Sequence, residues 1–445
     1  MSSSSAAQYS RRQALQLGAI AAGGLALGSC VTPGQTNTGA TSTSGPLKPA
    51  TQAKGEITIV DDNTNKLFQG GMIKAFEDKT GVKVKSYTQG NFNDLHDRYA
   101  TLFAAQDSSV DVVMTWAGWS AEFGQAGWLQ ELDPSAVPSD LIQPALDAVS
   151  WRGKVYGLPK FSSVQTMFWS KPLFQKAGLS PDTGPRTWDE FVAAAKALTH
   201  GGQFGYACDI GNAAGAYQNF LRMLLLNGGQ MYDAEYKPTF NSPQGVEALT
   251  KFVDLLQLHK VMDPASLQIT NASDLGDLFA KGQTGIVFNW PFQWAVATSG
   301  MSKLDKTTIG NGLIPGISVR SASIDGSEGF AVSKYSKNKE AALAWLQFAS
   351  SGDVQKKIVA QEGWFPVSKS VLDDPASIQA LPVLKTYKES TQYVTKRYGV
   401  PWSSELDQLL SVQISNAMNQ KTTPKDALDS AVKQTEALVK KYLKA

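Results

Sequence analysis

Cysteine and histidine are nearly missing from this chain, with 2 Cys and 3 His in 445 residues. So few candidate ligands argue against a structural zinc site or a disulfide framework. A surplus of one charge is missing as well. Lys plus Arg number 41 against 39 Asp plus Glu, a formal net charge of +2, so nothing favours holding a nucleic-acid backbone. The G-x-S-x-G, H-E-x-x-H, Walker A and Rossmann glycine patterns do not occur. No apolar run reaches the roughly 20 residues needed to span a bilayer. What is present is apolar and aromatic material: 42% hydrophobic residues, only 18% charged, with 11 Trp, 13 Tyr and 19 Phe. Such a chain buries sizeable cores, and its length suggests roughly two to three domains.

The opening residues read as an export signal. Arg11 and Arg12 are the only charges before Lys48, and an uncharged, mostly apolar stretch runs from Leu15 to Leu27. Leu27-Gly28-Ser29-Cys30 resembles a bacterial lipobox, which makes Cys30 the expected lipidated first residue of the mature chain after a 1–29 signal peptide. Ser10-Arg11-Arg12 also resembles a twin-arginine motif, departing from it at Ala14, where Phe is usual. Residues 31–55 are mostly Thr, Ser, Gly, Pro and Ala with no aromatic residue, so 30–55 is expected to be a flexible tether. Cys208, the other cysteine, reads as a buried small hydrophobe.

The body alternates strand and helix signals. Glu56–Asp61 is β-rich, and Phe68, Met72 and Phe76 form a helical stripe closed by Gly81. Val82–Tyr87 alternates like a strand; Phe92, Leu95, Tyr99 and Leu102 give a second stripe, and Asp111–Trp116 a buried strand. Strand–helix–strand–helix–strand predicts a mainly parallel sheet. Thr187-Trp188-Asp189-Glu190 is a capping box, Ser242-Pro243 and Thr423-Pro424 open further helices, and Asn338 is expected to cap an alanine-rich one. Short strands are expected at 203–207, 284–288, 308–314 and 329–333.

Ligands of open α/β sheets sit beyond the carboxyl ends of the strands. At those ends stand Asp61, Asp62 and Asn63, then Asn91, then Trp116 and Trp119, and later Asn289 with Trp290. Carboxylates and amides hydrogen-bond hydroxyls, and indole faces stack on the C–H face of a pyranose. Polar groups interleaved with tryptophans at strand ends therefore point to carbohydrate recognition.

Asp111-Val112-Val113-Met114-Thr115-Trp116, with Glu122-Phe123, Gly127-Trp128-Leu129 and Glu131-Leu132, resembles the family 1 bacterial extracellular solute-binding proteins, the maltose/trehalose-type receptors of ABC importers. The likeness continues through Tyr156-Gly157-Leu158-Pro159, Phe168-Trp169-Ser170-Lys171, Gly285–Trp290, Gly329–Ser333 and Gly363–Val367. It implies two α/β lobes joined by hinges and closing on sugar. Residues 56–163 plus 313–352 are expected in one lobe and 164–312 plus 353–445 in the other. It further implies that Trp364, Arg397 and Trp402 line the cleft beside the strand-end residues, and it leaves the role of Glu328 open. The implied partners are a carbohydrate and the importer's membrane subunits. The receptor is expected to be monomeric, without cofactor or metal, held at the extracytoplasmic membrane surface through Cys30.

Plainer readings compete at several positions. Trp188 and Trp345 lie within helices and read as core. Asp61 or Asp62 is suited to capping the next helix. His96, His200 and His259 lack metal-ligand spacing and are expected to be solvated. A lipid-anchored glycoside hydrolase needs only two carboxylates, for which Asp61 or Asp62 and Glu122 are candidates. A receptor for a phosphorylated or peptidic solute needs clustered cations, yet Arg98, Arg152, Arg186, Arg222 and Arg320 fall outside the strand-end motifs.

Overall fold

A computed structural model describes residues 45–49, 52–62, 71–89, 92–116, 118–396 and 399–443. The chain begins with β1 (Glu56–Asp62), α1 (Gly71–Thr80), β2 (Lys83–Gln89), α2 (Phe92–Ala104) and β3 (Val112–Trp116). Ile57, Ile59 and Val60 bury β1 on both faces, as a central strand requires. β2 pairs only with β1, so its lysines at 83 and 85 face water on an edge strand. Next come α3 (Trp119–Gln125), α4 (Gln143–Ala148), the hairpin β4 (Ser150–Trp151) and β5 (Lys154–Val155), β6 (Gly157–Phe161) and β7 (Thr166–Ser170). Then follow α5 (Lys171–Lys176), α6 (Trp188–Leu198), β8 (Phe204–Ala207), α7 (Ala213–Leu226) and α8 (Pro243–Gln257). The remaining strands are β9 (Thr284–Asn289), β10 (Ile309–Gly312), β11 (Ser323–Asp325), β12 (Glu328–Val332) and β13 (Val394–Lys396).

The strands form two main sheets, ordered β2-β1-β3-β12-β6 and β10-β7-β9-β8, one for each lobe of a two-lobe α/β fold. Both sheets are mixed rather than mainly parallel. β1 runs parallel to β2 and β3, as the strand–helix alternation predicts, but β12 is antiparallel to β3 and β6. In the second sheet only β8 and β9 are parallel, while β7 opposes β9 and β10. The reason is the crossing of the chain between lobes. β7 and β12 each start just after a crossing, so they begin at the edge where neighbouring strands end. Glu328 therefore pairs with Trp116 and Phe161, and Thr166 with Asn289.

Helix starts follow the sequence at Thr187, Ser242 and Thr423. Their hydroxyls accept from the amides of Glu190, Gly245 and Asp426. Asn338 departs from expectation. Its side chain makes no cap but donates to Asp111 Oδ1, while Asp111 Oδ2 accepts from Thr58 N. One buried aspartate thus ties three segments together at the far end of the first sheet.

The tether also differs from its sequence reading. Leu47 is buried, donating its amide to Glu131 O and accepting from Asp133 N, and Gln130 Nε2 donates to Gly45 O. The one leucine in the polar stretch finds an apolar slot beside Leu132, and burying it stabilises this docking by roughly 1.5–3 kcal/mol. Among the described residues no helix is long and apolar enough to cross a membrane.

Candidate functional site

Phe161 ends β6 in the first sheet and Thr166 begins β7 in the second, so four residues carry the chain between the two strand-end edges. The expected binding residues concentrate on these edges. On the first, Trp116 is half-buried and stacks obliquely on Phe92, ring centres 4.8 Å apart. Trp119 lies behind it, edge-on at 6.2 Å and buried among Phe92, His96, Tyr99 and Phe123. Trp116 thus keeps part of its ring exposed, while Trp119 packs beneath it. Asn63, Asn91, Arg397 and Cys30 lie outside the described residues.

Asp61 and Asp62 occupy the end of β1, where Asp61 Oδ1 accepts from the Asp62 amide. The pairing of β6 with β12 shifts register between Glu328 and Gly329, leaving Lys160 as an extra residue in β6. A bulge of this kind re-aims a side chain. Lys160 is fully buried, with its Nζ 2.7 Å from Asp61 Oδ1, 3.1 Å from Asp62 Oδ1 and 2.9 Å from Glu328 Oε2. Phe161 and Phe330 flank the ammonium at 5.4 and 5.2 Å. Burial pushes the Asp61 carboxyl up to about 7 and that of Glu328 up to about 8, although Lys160 acts to lower both. Burial disfavours the Lys160 ammonium, but the surrounding carboxylates outweigh it and hold its pKa well above the usual lysine range. Sequence reasoning missed Lys160, because only the register shift turns it inward.

On the second edge, Asn289 Oδ1 accepts from the Trp290 amide and its Nδ2 donates to Gln293 Oε1, fixing the turn that presents Trp290. The Trp290 ring lies against Gly326, where an added Cβ would come within 2.5 Å of its outer carbon. Trp364 bridges the edges, stacked on Phe161 at 4.3 Å and tilted against Phe292 at 5.5 Å. Trp402 is different: it is fully enclosed, donates to Tyr232 OH at 2.9 Å and packs edge-on to Tyr236. It anchors the start of the Ser403–Met418 helix instead of presenting an open stacking face.

The crossing segments are polar and small. Ser327 Oγ accepts from Ser163 N and donates to Asp325; Gly326 N donates to Ser163 O, and Ser162 Oγ bonds Tyr387 OH. Beyond them Gln165 accepts from Arg222, while its backbone oxygen accepts from Ser323 Oγ. Arg222 is fully buried, also donates to Tyr206 OH and Asn219, and lies over Phe288. One buried cation therefore fastens the crossings to each sheet, Lys160 on the first and Arg222 on the second.

Residues 118–125 also touch the C-terminal helices. Ser404 donates weakly to Glu122 at 3.4 Å, and Gln125 Nε2 donates to Tyr442 O. Gly118 approaches Ser403 so closely that its Cβ would lie 2.6 Å from that of Ser403. His96 is not solvated as expected: it stacks on Phe123 and pairs with Glu122 at 3.0 Å. Burial opposes its protonation, but Glu122 outweighs burial and raises its pKa. Cys208 is buried as expected, and burial pushes its thiol up to about 12. Among the described residues no group of acids, histidines or cysteines is arranged to hold a metal.

Comparison with known proteins agrees with this layout. A probable amino-acid ABC transporter periplasmic-binding protein of Sinorhizobium fredii is 26% identical over 385 residues, covering 83% of this chain and 86% of the relative. A mannitol-binding protein of Pseudomonas aeruginosa is 24% identical over 351 residues, covering 76% and 79%. The maltose-bound structure of T. maritima MalE3 superposes with a TM-score of 0.79 at 26% identity, covering 86% of this chain and 100% of that one. Residues 61–356 match the model of the bacterial extracellular solute-binding proteins, and the chain belongs to that family.

Proposed function

We propose that this chain is the substrate receptor of an ABC importer and that its ligand is a neutral carbohydrate or polyol held between the two strand-end edges. The carrying observation is the gathering of indole rings and carboxylates at strand ends: Trp116 closes β3, which runs parallel to the β1 that ends in Asp61 and Asp62, and Trp290 follows β9, while Trp364 stacks on Phe161 at the end of β6. Rings supply the C–H stacking surface and carboxylates accept from hydroxyls. The maltose bound by the T. maritima neighbour and the mannitol named for the P. aeruginosa relative support this class. The lobes are taken as 56–163 plus 313–352 and 164–312 plus 353–445, with hinges near Phe161–Gln165, near Asn311–Pro315 and just after the Asn338–Ser351 helix. Sugar contacts both lobes only when they close, so it shifts the population toward the closed form by its differential affinity. The closed receptor then docks on the importer's membrane subunits, held at the extracytoplasmic membrane surface by lipid on Cys30 and acting as a monomer.

The receptor reading is favoured over a hydrolase by the family, whose relatives are named as binding proteins. The second reading, an amino-acid ligand, takes its support from the name of the S. fredii relative. Thermal unfolding of the purified chain against sugars, polyols, amino acids and sugar phosphates separates these readings. A stabilising sugar recovered unchanged supports the proposal. Stabilisation by an amino acid alone, or appearance of product, overturns it.

A further inference from the structure

Gly118 precedes α3 with ordinary helical angles, φ −81° and ψ −2°. Nothing in that conformation calls for glycine, since any residue adopts it. Space is what calls for it. A Cβ at 118 would overlap Ser403 Oγ and lie 2.6 Å from Ser403 Cβ and 2.9 Å from Val400 O. The two sides of this contact flank different sheets. Gly118 stands two residues beyond Trp116, the last residue of β3 in the first sheet. The Ser403–Met418 helix instead packs on α7 and α8, where Gln257 Nε2 donates to Met418 O. The Pro424–Leu443 helix joins the same group, with Asp429 accepting from Asn241 just before α8. α7 in turn is bonded to the second sheet, Arg222 donating to Tyr206 of β8. We propose that the seating of Ser403 on Gly118 is a clasp between the two lobes. It is formed by part of the population without ligand and by nearly all of it with ligand, and Gly118 is the positioning residue that admits it.

The rest of the contact has the character of one that is made and broken. It is polar and incompletely paired. Ser404 reaches Glu122 at only 3.4 Å. Gln125 donates to Tyr442 O, yet its Oε1 is buried with no hydrogen-bond partner among the described residues. A buried acceptor without a partner disfavours the made contact and regains water when the contact parts. Contacts between domains that move are more polar than a permanent core for the same reason. One residue before Ser403, Trp402 lies edge-on to Tyr236, whose ring meets Trp151 of the β4–β5 hairpin at 6.1 Å. The clasp therefore joins α3 and this hairpin to the start of the Ser403–Met418 helix. Because Gly118 follows Trp116 so closely, the seat fixes how near the second lobe comes to the Trp116 ring.

The clasp rests on the reading of a receptor that closes, and its first test needs no ligand. Radii of gyration from X-ray scattering are compared for the full chain, Gly118→Ala, Ser403→Gly and the double variant. Gly118→Ala should give a measurably larger radius, because the added methyl group excludes the clasped form. Ser403→Gly removes two of the three atoms that crowd a Cβ at 118, so the double variant should return to the radius of the unmodified chain. Unfolding midpoints should stay together across the four. An unchanged radius in Gly118→Ala, with or without a fall in its midpoint, marks a permanent packing contact and overturns the clasp, as does a double variant that stays enlarged. Maltose and mannitol are then titrated by calorimetry. Whichever binds should bind Gly118→Ala roughly tenfold or more weakly, since the competent form has become rare, and the double variant should regain most of the affinity. Equal affinity in Gly118→Ala and the unmodified chain also overturns the clasp. If neither sugar binds the unmodified chain, the carbohydrate reading is what fails, and the scattering comparison still decides the clasp.

Discussion

Replacing Lys160 with Met removes the ammonium that pairs with three buried carboxylates while nearly keeping the volume of the side chain. Its ammonium pairs with them at 2.7, 3.1 and 2.9 Å, and the thioether can pair with none. Breaking a buried ion pair by deleting one partner costs about 3–5 kcal/mol, because the other charge is left unpaired. The cost should depend on pH, and its sign follows from the carboxyls. Asp61 and Glu328 have folded pKa values raised to about 7 and about 8 from 3.8 and 4.5. Their contribution is fully present below about pH 4 and is lost as pH rises through 7 and 8, with a slope of at most about 1.4 kcal/mol per unit for each group. At pH 5 both are protonated, so Lys160→Met forfeits chiefly the pair with Asp62. At pH 9 the variant must either bury carboxylates that have lost their ammonium or hold protons against the solution. Urea unfolding at the two pH values reads the difference: about 1–3 kcal/mol at pH 5 and about 3–5 or more at pH 9. Equal losses at both, or less than about 1 kcal/mol at both, would refute the reasoning.

Trp116→Ala and Trp290→Ala should each weaken sugar binding by about 1–3 kcal/mol with the fold intact, as truncation of buried aromatic anchors does; titration calorimetry checks this, and unchanged affinity in both removes these rings from the site. Gly326→Val places a side chain where the Trp290 ring now lies, 2.5 Å from the added Cβ, so the ring must shift. Affinity should fall at least tenfold while Gly81→Ala, far from the pivot at a left-handed turn, changes stability alone. Cys208, with its thiol held up near 12 by burial, should resist a thiol-specific reagent at pH 8 until the chain is unfolded in denaturant.

Much of the first lobe is legible in local pattern. Ile57, Ile59 and Val60 announce a buried strand, the Val–Lys alternation from 82 to 85 an edge strand, and Thr187 a helix start, each through interactions within a few residues. The strand-end tryptophans are legible for the same reason, since a side chain at the end of a parallel strand has one edge to occupy. What escapes local reading depends on residues far apart in sequence. Lys160 looks like an ordinary solvated lysine until the register shift against Glu328, 168 positions later, turns it inward. Asn338 gives up its cap to reach Asp111, 227 positions away, and Trp402 is enclosed by Tyr232, 170 positions away. Leu47 shows the same limit on a smaller scale: composition marks a tether, but one leucine with a slot beside Leu132 is enough to dock it. The antiparallel strands β7 and β12 follow from the crossing of the chain between lobes, which no local propensity records.

The central claim, that the facing strand-end edges hold a neutral carbohydrate, is tested most directly by the thermal unfolding midpoint of the full chain across mono-, di- and oligosaccharides, polyols, amino acids and sugar phosphates. A ligand at a hundred times its dissociation constant adds about 2.7 kcal/mol to stability, enough to raise the midpoint measurably. The account expects a rise with a sugar or polyol that is recovered unchanged and whose effect is lost in Trp116→Ala and Trp290→Ala. A rise confined to an amino acid or a sugar phosphate, or one undiminished in both variants, would contradict it.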